Sequence, residues 1–168
     1  MHNSKIIGSN LFPDVTRHLA DEGATLALGS NIAEVLQPGL TIFLEGNLGA
    51  GKTTLARGIL RGLGYLGKVK SPTYNLVELY KFSRLYFYHF DFYRFNNPAE
   101  WEEAGFREYF NPDSICLVEW PQKAAGLLPT ADLIFFLSIS EEGREIKIRA
   151  VTEEGKQCLK ELRNLGNP

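Results

Sequence analysis

The residue pattern with the clearest chemistry is a glycine-rich run that ends in a lysine and a threonine. Residues 46–53 read GNLGAGKT, which fits the phosphate-loop pattern G-x-x-x-x-G-K-[S/T]. Glycines let such a loop turn tightly, so that successive backbone N–H groups point at phosphate oxygens. In this pattern Lys52 reaches the β- and γ-phosphates, and the Thr53 hydroxyl takes one coordination position on Mg²⁺. The run therefore predicts a site for a nucleoside di- or triphosphate with Mg²⁺.

The sequence on either side gives this loop the context that the pattern requires. Residues 41–45 form a short apolar run with the length of a buried strand, and residues 52–63 carry apolar side chains every four positions, as an amphipathic helix does. A helix that begins near Lys52 aims its unpaired N–H groups and the positive end of its dipole at the anion. The residues expected to contact the nucleotide are Asn47, Leu48, Gly49, Ala50, Gly51, Lys52, Thr53 and Thr54.

Two carboxylates stand at the ends of apolar runs further along the chain. Glu119 follows the run 115–118, and Asp91 follows the run 85–90. Hydrolysis by a phosphate-loop enzyme needs a carboxylate that holds Mg²⁺ and a group that orients the attacking water. The residues leave open which carboxylate does which, and each is as readily a plain surface carboxylate at a strand end. Glu119 is favoured as the metal partner, together with Thr53, because its strand is predicted to be buried on both faces.

Three further positions have both a functional and a plain structural interpretation. The segment Ser71-Pro72-Thr73 is placed to close on the γ-phosphate as a switch does, but from these residues alone a simple turn is the better interpretation. His89 is predicted to be a hydrogen-bonded histidine of the core. Trp120, directly after Glu119, is either a stacking residue or an aromatic at the edge of the core.

The elements that would position these residues mix strands and helices in one α/β layer structure. The last two strands are expected to form a hairpin around residues 141–143, so the sheet should contain antiparallel pairs. We expect one P-loop NTPase-like domain over residues 1–168, with a mixed sheet flanked by helices. The predicted strands are 15–20, 41–45, 76–81, 85–91, 114–119, 132–140 and 144–151, and the predicted helices are 21–36, 52–63, 98–104 and 152–165.

Composition narrows the classes of protein. The formal net charge of −2 over 168 residues gives no basic field for nucleic acid, so contact with RNA should be local or made through a partner. No apolar run approaches the roughly 20 residues that span a bilayer, and residues 1–10 lack a signal-peptide core. We therefore expect a cytoplasmic protein without membrane contact, in which Cys116 and Cys158 are reduced structural thiols.

Three other functions use a phosphate loop. A small-molecule kinase needs an acceptor pocket and usually an arginine-bearing lid, whereas Arg84, Arg94 and Arg107 are isolated in this sequence. A GTP switch would carry N-K-x-D and D-x-x-G motifs, which are lacking. A module that only holds a nucleotide is harder to exclude, because nothing in the motif itself requires turnover.

The motifs GNLGAGKTT, SPTY, HFDFYR and LVEW, in this order between residues 46 and 120, resemble those of the TsaE family. Members are bacterial ATPases required to form threonylcarbamoyladenosine in tRNA. The flanks are similar too, with an acidic helix start at residues 21–25 and a basic hairpin around Arg144. Asn47 stands where the family commonly has Asp, and Phe92 where it commonly has Leu. Neither departure affects the expected binding, since the backbone amide of Asn47 is kept.

The resemblance implies roles for several residues. Lys52, Thr53 and the loop amides should bind ATP and Mg²⁺, while Asp91 and Glu119 match acidic positions important for activity. The segment 71–73 matches a switch-like segment, which makes Thr73 a candidate catalytic residue, and Trp120 matches an adjacent tryptophan. The implied partner is the TsaB–TsaD complex, in which TsaD transfers a threonylcarbamoyl group to an adenosine beside the anticodon. ATP hydrolysis would reset that complex between turnovers, so contact with tRNA should be indirect.

Overall fold

A single mixed sheet organises the chain. The structure, a computed structural model, describes residues 12–165. The strands are β1 (Val15–Leu19), β2 (Thr41–Glu45), β3 (Val77–Lys81), β4 (Tyr86–Asp91), β5 (Ser114–Glu119), β6 (Leu133–Ser140) and β7 (Gly143–Ala150), and the helices are α1 (Glu22–Val35), α2 (Lys52–Gly62), α3 (Ala99–Ala104) and α4 (Glu153–Leu165). The order across the sheet is β1-β7-β6-β2-β5-β4-β3, and the predicted α/β class is confirmed.

The centre of the sheet is parallel and its two sides are antiparallel. Strand β2 pairs in parallel with β5 and β6, and β5 pairs in parallel with β4. The pairs β1–β7, β6–β7 and β3–β4 are antiparallel. All six residues of β5 are buried, as its continuous apolar run predicts for a central parallel strand.

This arrangement brings three strand ends to one edge of the sheet. Leu44 is in register with Glu119 across the β2–β5 pair, and Asp91 is in register with Glu119 across the β4–β5 pair. Since parallel strands end on the same side, the loop after β2 and the two carboxylates lie along one edge. The candidate site is therefore assembled at the carboxyl ends of the central strands.

Close packing of α1 on α2 fixes the helix that follows the loop. A Cβ atom on Gly29 would lie 2.7 Å from the carbonyl carbon of Gly58, so the two helices touch backbone to backbone only because both residues are glycine. The side chain of Asp21 caps α1 by accepting a hydrogen bond of 2.8 Å from the Ala24 N–H, as predicted. The position of α1 thus sets that of α2.

A cluster of aromatic side chains packs beside β4 and β5 at the same edge of the sheet. The Phe90 ring packs against Phe92, Phe106 and Phe110 at centroid distances of 5.5, 5.5 and 5.2 Å, and Trp101 is 1% exposed in the same cluster. These rings hold residues 92–110 against β4 and β5, so the backbone that follows Asp91 has a fixed course.

Most predicted elements are found within one or two residues of their predicted ends. Two short 3₁₀ helices, Phe106–Tyr109 and Pro121–Ala124, were not predicted. Within residues 12–165 no helix is both long and apolar enough to cross a membrane. Cys116 and Cys158 are free and buried, as expected. Residues 1–10, on which the prediction about a signal peptide rests, lie outside the described part of the chain.

Candidate functional site

The phosphate loop, residues 46–51, joins the end of β2 to the start of α2. Gly49 and Gly51 have φ angles of 81° and 104°, which side chains with a Cβ rarely adopt. A Cβ on Gly46 would lie 2.5 Å from the carbonyl oxygen of Leu137, so glycine there lets the loop pass close to β6. The Ala50 N–H donates a 3.1 Å hydrogen bond to the Asn47 carbonyl. The glycine pattern is therefore explained by loop geometry.

The first turn of α2 offers backbone donors. Its first helical bond runs from the Leu55 N–H to the Gly51 carbonyl at 3.0 Å, and no side chain caps the helix. The N–H groups at the start of an α-helix have no carbonyl partner within the helix. Those from Gly51 to Thr54 are therefore available to phosphate oxygens, in agreement with the pattern.

Lys52 is buried in the candidate site, where three neighbouring groups contact its ammonium. Its Nζ donates a 2.6 Å hydrogen bond to the Gly46 carbonyl and lies 3.7 Å from Glu119 Oε1. The same atom is 4.3 Å from the centroid of the Trp120 ring, a favourable cation–π distance, and Trp120 also packs on Tyr93 at 5.0 Å. Lys52 thus links the loop with the end of β5.

Glu119 has a second buried partner. Its Oε2 lies 2.6 Å from Nε2 of His89, and both side chains are almost fully buried. His89 was predicted to be a hydrogen-bonded histidine of the core, and its full burial and its bond to Glu119 confirm this, although within residues 12–165 only one ring nitrogen has a partner. Its Nε2 bonds a carboxylate of the site, and its Nδ1 has no hydrogen-bond partner among the described residues. His89 therefore fixes the orientation of the Glu119 carboxylate.

Asp91 is joined to the segment 71–73 instead. Its Oδ2 accepts a 3.1 Å hydrogen bond from the Thr73 hydroxyl, and its Oδ1 accepts one of 2.9 Å from the Tyr93 N–H. The hydroxyls of Ser71 and Thr73 are 2.8 Å apart. A simple turn does not account for these contacts. The Thr73 side chain connects the turn to Asp91, the carboxylate at the end of β4.

Thr53, Asp91 and Glu119 carry oxygen ligands of the type that Mg²⁺ takes. Asp91 and Glu119 are 6% and 5% exposed, whereas Thr53, at the start of α2, is exposed. Hydroxyl and carboxylate oxygens are the hard ligands that Mg²⁺ prefers, and it usually keeps water and phosphate ligands as well. Within residues 12–165, no group of three or more His, Cys, Asp or Glu side chains is arranged to hold a metal ion.

Open space lies on both sides of the loop. A cavity of about 330 Å³ separates Asn47 and Ala50 from the end of β6. A second of about 220 Å³ lies between Gly51, Thr54 and the start of α1. The loop is therefore accessible from both directions.

One residue that contacts the loop was missed from the sequence. Arg144 donates hydrogen bonds to the carbonyls of Gly49 and Ala50. The sequence placed Arg144 in a basic hairpin but predicted no role for it. Its spacing was the available signal, because position 144 shares the strand face of Ile146 and Ile148. An arginine on an apolar face needs a polar partner.

Comparison with known proteins identifies the relatives of this chain. Residues 19–149 match the family of the threonylcarbamoyl adenosine biosynthesis protein TsaE. The chain is 44% identical over 155 residues to the tRNA threonylcarbamoyladenosine biosynthesis protein TsaE of Haemophilus influenzae, covering 89% of this chain and 98% of that protein. It is 37% identical over 139 residues to the protein of the same name from Bacillus subtilis, covering 82% and 87% respectively.

A solved structure agrees with these sequence matches. The crystal structure of Bacillus subtilis YdiB superposes with a TM-score of 0.81 at 30% identity, covering 95% of this chain and all of that one. The fold is thus shared along with the sequence, and the resemblance inferred from four motifs is confirmed. The chain belongs to the TsaE family, whose members carry a P-loop NTPase-like fold.

Proposed function

We propose that this protein binds and hydrolyses ATP as an accessory subunit in the threonylcarbamoyladenosine modification of tRNA, next to the anticodon. It acts on the TsaB–TsaD complex in the cytoplasm, as one P-loop ATPase domain. The observation that carries the proposal is the meeting of Lys52, Asp91 and Glu119 with the phosphate loop at one edge of the sheet. The names of the relatives support the tRNA modification.

Binding of the nucleotide uses the loop and the first turn of α2. The amides of residues 47–54 donate to the α- and β-phosphates, and Lys52 turns from the Gly46 carbonyl to the β- and γ-phosphates. The carbonyl, Glu119 and Trp120 that surround the Lys52 ammonium keep it in place until the nucleotide arrives. The side chain is thus already ordered next to the loop, so less conformational entropy is lost when it turns to the phosphates.

The two carboxylates, Glu119 and Asp91, have different roles in hydrolysis. Thr53 and Glu119 hold Mg²⁺, directly or through water, and His89 keeps the Glu119 carboxylate in one orientation. The metal supplies positive charge beside the phosphate oxygens. Asp91, steadied by the Thr73 hydroxyl, accepts a hydrogen bond from the attacking water and directs it in line with the γ-phosphate. Lys52 and the loop amides stabilise the charge that develops.

The segment 71–74 reports the state of the nucleotide. Thr73 is bonded to Asp91, and the next residue, Tyr74, is 80% exposed and lies under the Arg94 guanidinium at 4.6 Å. Loss of the γ-phosphate removes a contact from this segment and changes the surface presented to TsaB–TsaD. Contact with tRNA is made through that complex, since the net charge is −2.

The test is repeated threonylcarbamoylation of tRNA by purified TsaB, TsaC and TsaD, where TsaC is the enzyme that the family resemblance implies as the source of the activated threonylcarbamoyl donor. Three reactions are compared: with this protein, without it, and with Lys52→Ala. We expect sustained turnover only with the intact protein. Equal turnover in all three, with the partners shown to be active, would overturn the proposal and favour a small-molecule kinase or a module that only holds nucleotide.

A further inference from the structure

The guanidinium of Arg144 reaches the phosphate loop from the far end of the chain. Its Nε donates to the Ala50 carbonyl at 3.0 Å, and its Nη2 donates to the Gly49 carbonyl at 3.1 Å. Its Nη1 donates to the Gly143 carbonyl, also at 3.0 Å. Two successive loop carbonyls are therefore held by one planar group, whose fixed fork of donors suits this arrangement.

The sheet fixes the position from which Arg144 reaches the loop. Successive side chains of a strand point to opposite faces, so Arg144 shares the face of Ile146 and Ile148, which are fully buried. Its backbone pairs with Leu19 of β1 on one side and with Ile139 of β6 on the other. Arg144 therefore lies at the edge of the core, on a strand that pairs with a neighbouring strand on each side.

The turn before Arg144 contributes to this placement. Gly143 has a φ of 124°, and a Cβ on it would collide with the carbonyl oxygen of Leu19. Glycine thus lets the β6–β7 turn press against the end of β1. The segment that carries Arg144 is held too closely to shift as a surface loop would.

The two hydrogen bonds determine which way loop amides point. A trans peptide unit is planar, so its C=O and the following N–H point in opposite directions. By holding the Ala50 carbonyl, Arg144 turns the Gly51 N–H to the opposite side of the same plane. By holding the Gly49 carbonyl, it fixes the peptide whose N–H closes the turn onto Asn47.

We propose that Arg144 is a positioning residue for nucleotide binding, which presets the phosphate loop by holding the carbonyls of Gly49 and Ala50. This inference rests on the proposed function, because it presupposes that the loop binds a nucleotide. Arg144 acts through the loop backbone, by its bonds to these two carbonyls, and is not a ligand of the γ-phosphate. The loop amides serve the α- and β-phosphates that ATP and ADP share, so loss of Arg144 must weaken both nucleotides by the same factor.

The experiment measures the dissociation constants of Mg·ATP and ADP by calorimetric titration of the full chain. Arg144→Gln is compared with wild type, with Arg144→Lys, and with Arg149→Gln as the matched control. Arg149 lies on the same strand but on its other face, where it pairs with Asp14 at 3.1 Å. Thermal unfolding without nucleotide checks that each variant is folded.

We expect Arg144→Gln to bind both nucleotides about tenfold more weakly, the usual cost of losing hydrogen bonds from a charged donor. Arg144→Lys should recover part of the affinity, because an ammonium lacks the fork that spans two carbonyls. Arg149→Gln should bind as the wild type does. The lysine variant also carries the test if Arg144→Gln does not fold.

Each other outcome is decisive. Wild-type affinity in Arg144→Gln, or in Arg144→Lys if only that variant folds, would overturn the inference and leave the proposed function standing. A loss confined to ATP would replace positioning by direct contact with the γ-phosphate. If the wild type bound neither nucleotide, the proposed function and this inference would fall together.

Discussion

The two sides of the candidate site are built in different ways. The phosphate side takes its donors from one continuous stretch, residues 46–54, and mostly from the backbone. The carboxylate side brings together Thr73, Asp91 and Glu119, which are far apart in the chain and meet only through the register of β4 and β5. In the proposed mechanism, binding therefore depends on one local stretch of sequence, whereas turnover depends on the assembled sheet. Variants on the two sides should therefore fail differently.

The largest effect is expected on the phosphate side. In the proposed mechanism Lys52 is the charged donor to the β- and γ-phosphates, so Lys52→Ala should weaken binding of Mg·ATP by about a hundredfold. Titration with ATP measures this, with Lys160→Ala as a control, because Lys160 is exposed on α4. Equal affinity in Lys52→Ala and wild type would remove the lysine from the site.

On the carboxylate side, Glu119→Gln should separate binding from turnover. The amide keeps the shape of the side chain but loses the charge, so the rate of ATP hydrolysis should fall by about a hundredfold. Affinity for ATP should change by no more than a few-fold. Glu103→Gln on the exposed face of α3 is the control. A variant with wild-type turnover would show that Glu119 takes no part in hydrolysis.

A smaller effect on the same side is expected for Thr73→Val. Valine keeps the branched shape but lacks the hydroxyl that donates to Asp91. Hydrolysis should slow by about tenfold, in the range of a lost contact that positions a catalytic group, while ATP affinity stays unchanged. Ser83→Ala in the exposed β3–β4 turn is a suitable control. Weaker ATP binding without a change in rate would assign Thr73 to the phosphate side.

The smallest effect concerns the core beneath the two sides. Burial raises the pKa of the Cys158 thiol to about 12 and raises that of Cys116 above its usual range. Both stay protonated in the folded protein, whereas unfolded thiols ionise near pH 8.5. The unfolded state is therefore favoured as pH rises, by about 1 kcal/mol for each thiol between pH 8 and 9.5.

Denaturant unfolding at the two pH values measures this difference. A variant with both cysteines replaced by alanine supplies the control, since it should lose that part of the decline. An equal decline with and without the thiols would contradict the account of their burial. In the folded protein, Cys116 donates to the Tyr109 carbonyl in the aromatic cluster, and Cys158 donates to the Val35 carbonyl at the end of α1.

The difference between the phosphate side and the carboxylate side also explains how much of the site could be predicted from the sequence. The phosphate loop could be predicted because its donors are contiguous in the sequence. The backbone geometry also requires glycine at Gly46, Gly49 and Gly51. The strands were readable from their apolar runs. Their order was not, because residues such as Asp91 and Glu119 are adjacent only by register. The bond between His89 and Glu119 was missed for the same reason, since a buried histidine gives no sign in the sequence of what it faces.

ATP hydrolysis by this protein is tested by the rate at which it releases phosphate from Mg·ATP, measured with and without TsaB–TsaD. We predict a rate that rises sharply when the complex is present and that vanishes in Lys52→Ala. Tight binding of ATP with no phosphate release under either condition would contradict this prediction. The protein would then hold its nucleotide as a structural ligand, and the carboxylate side would have no catalytic task.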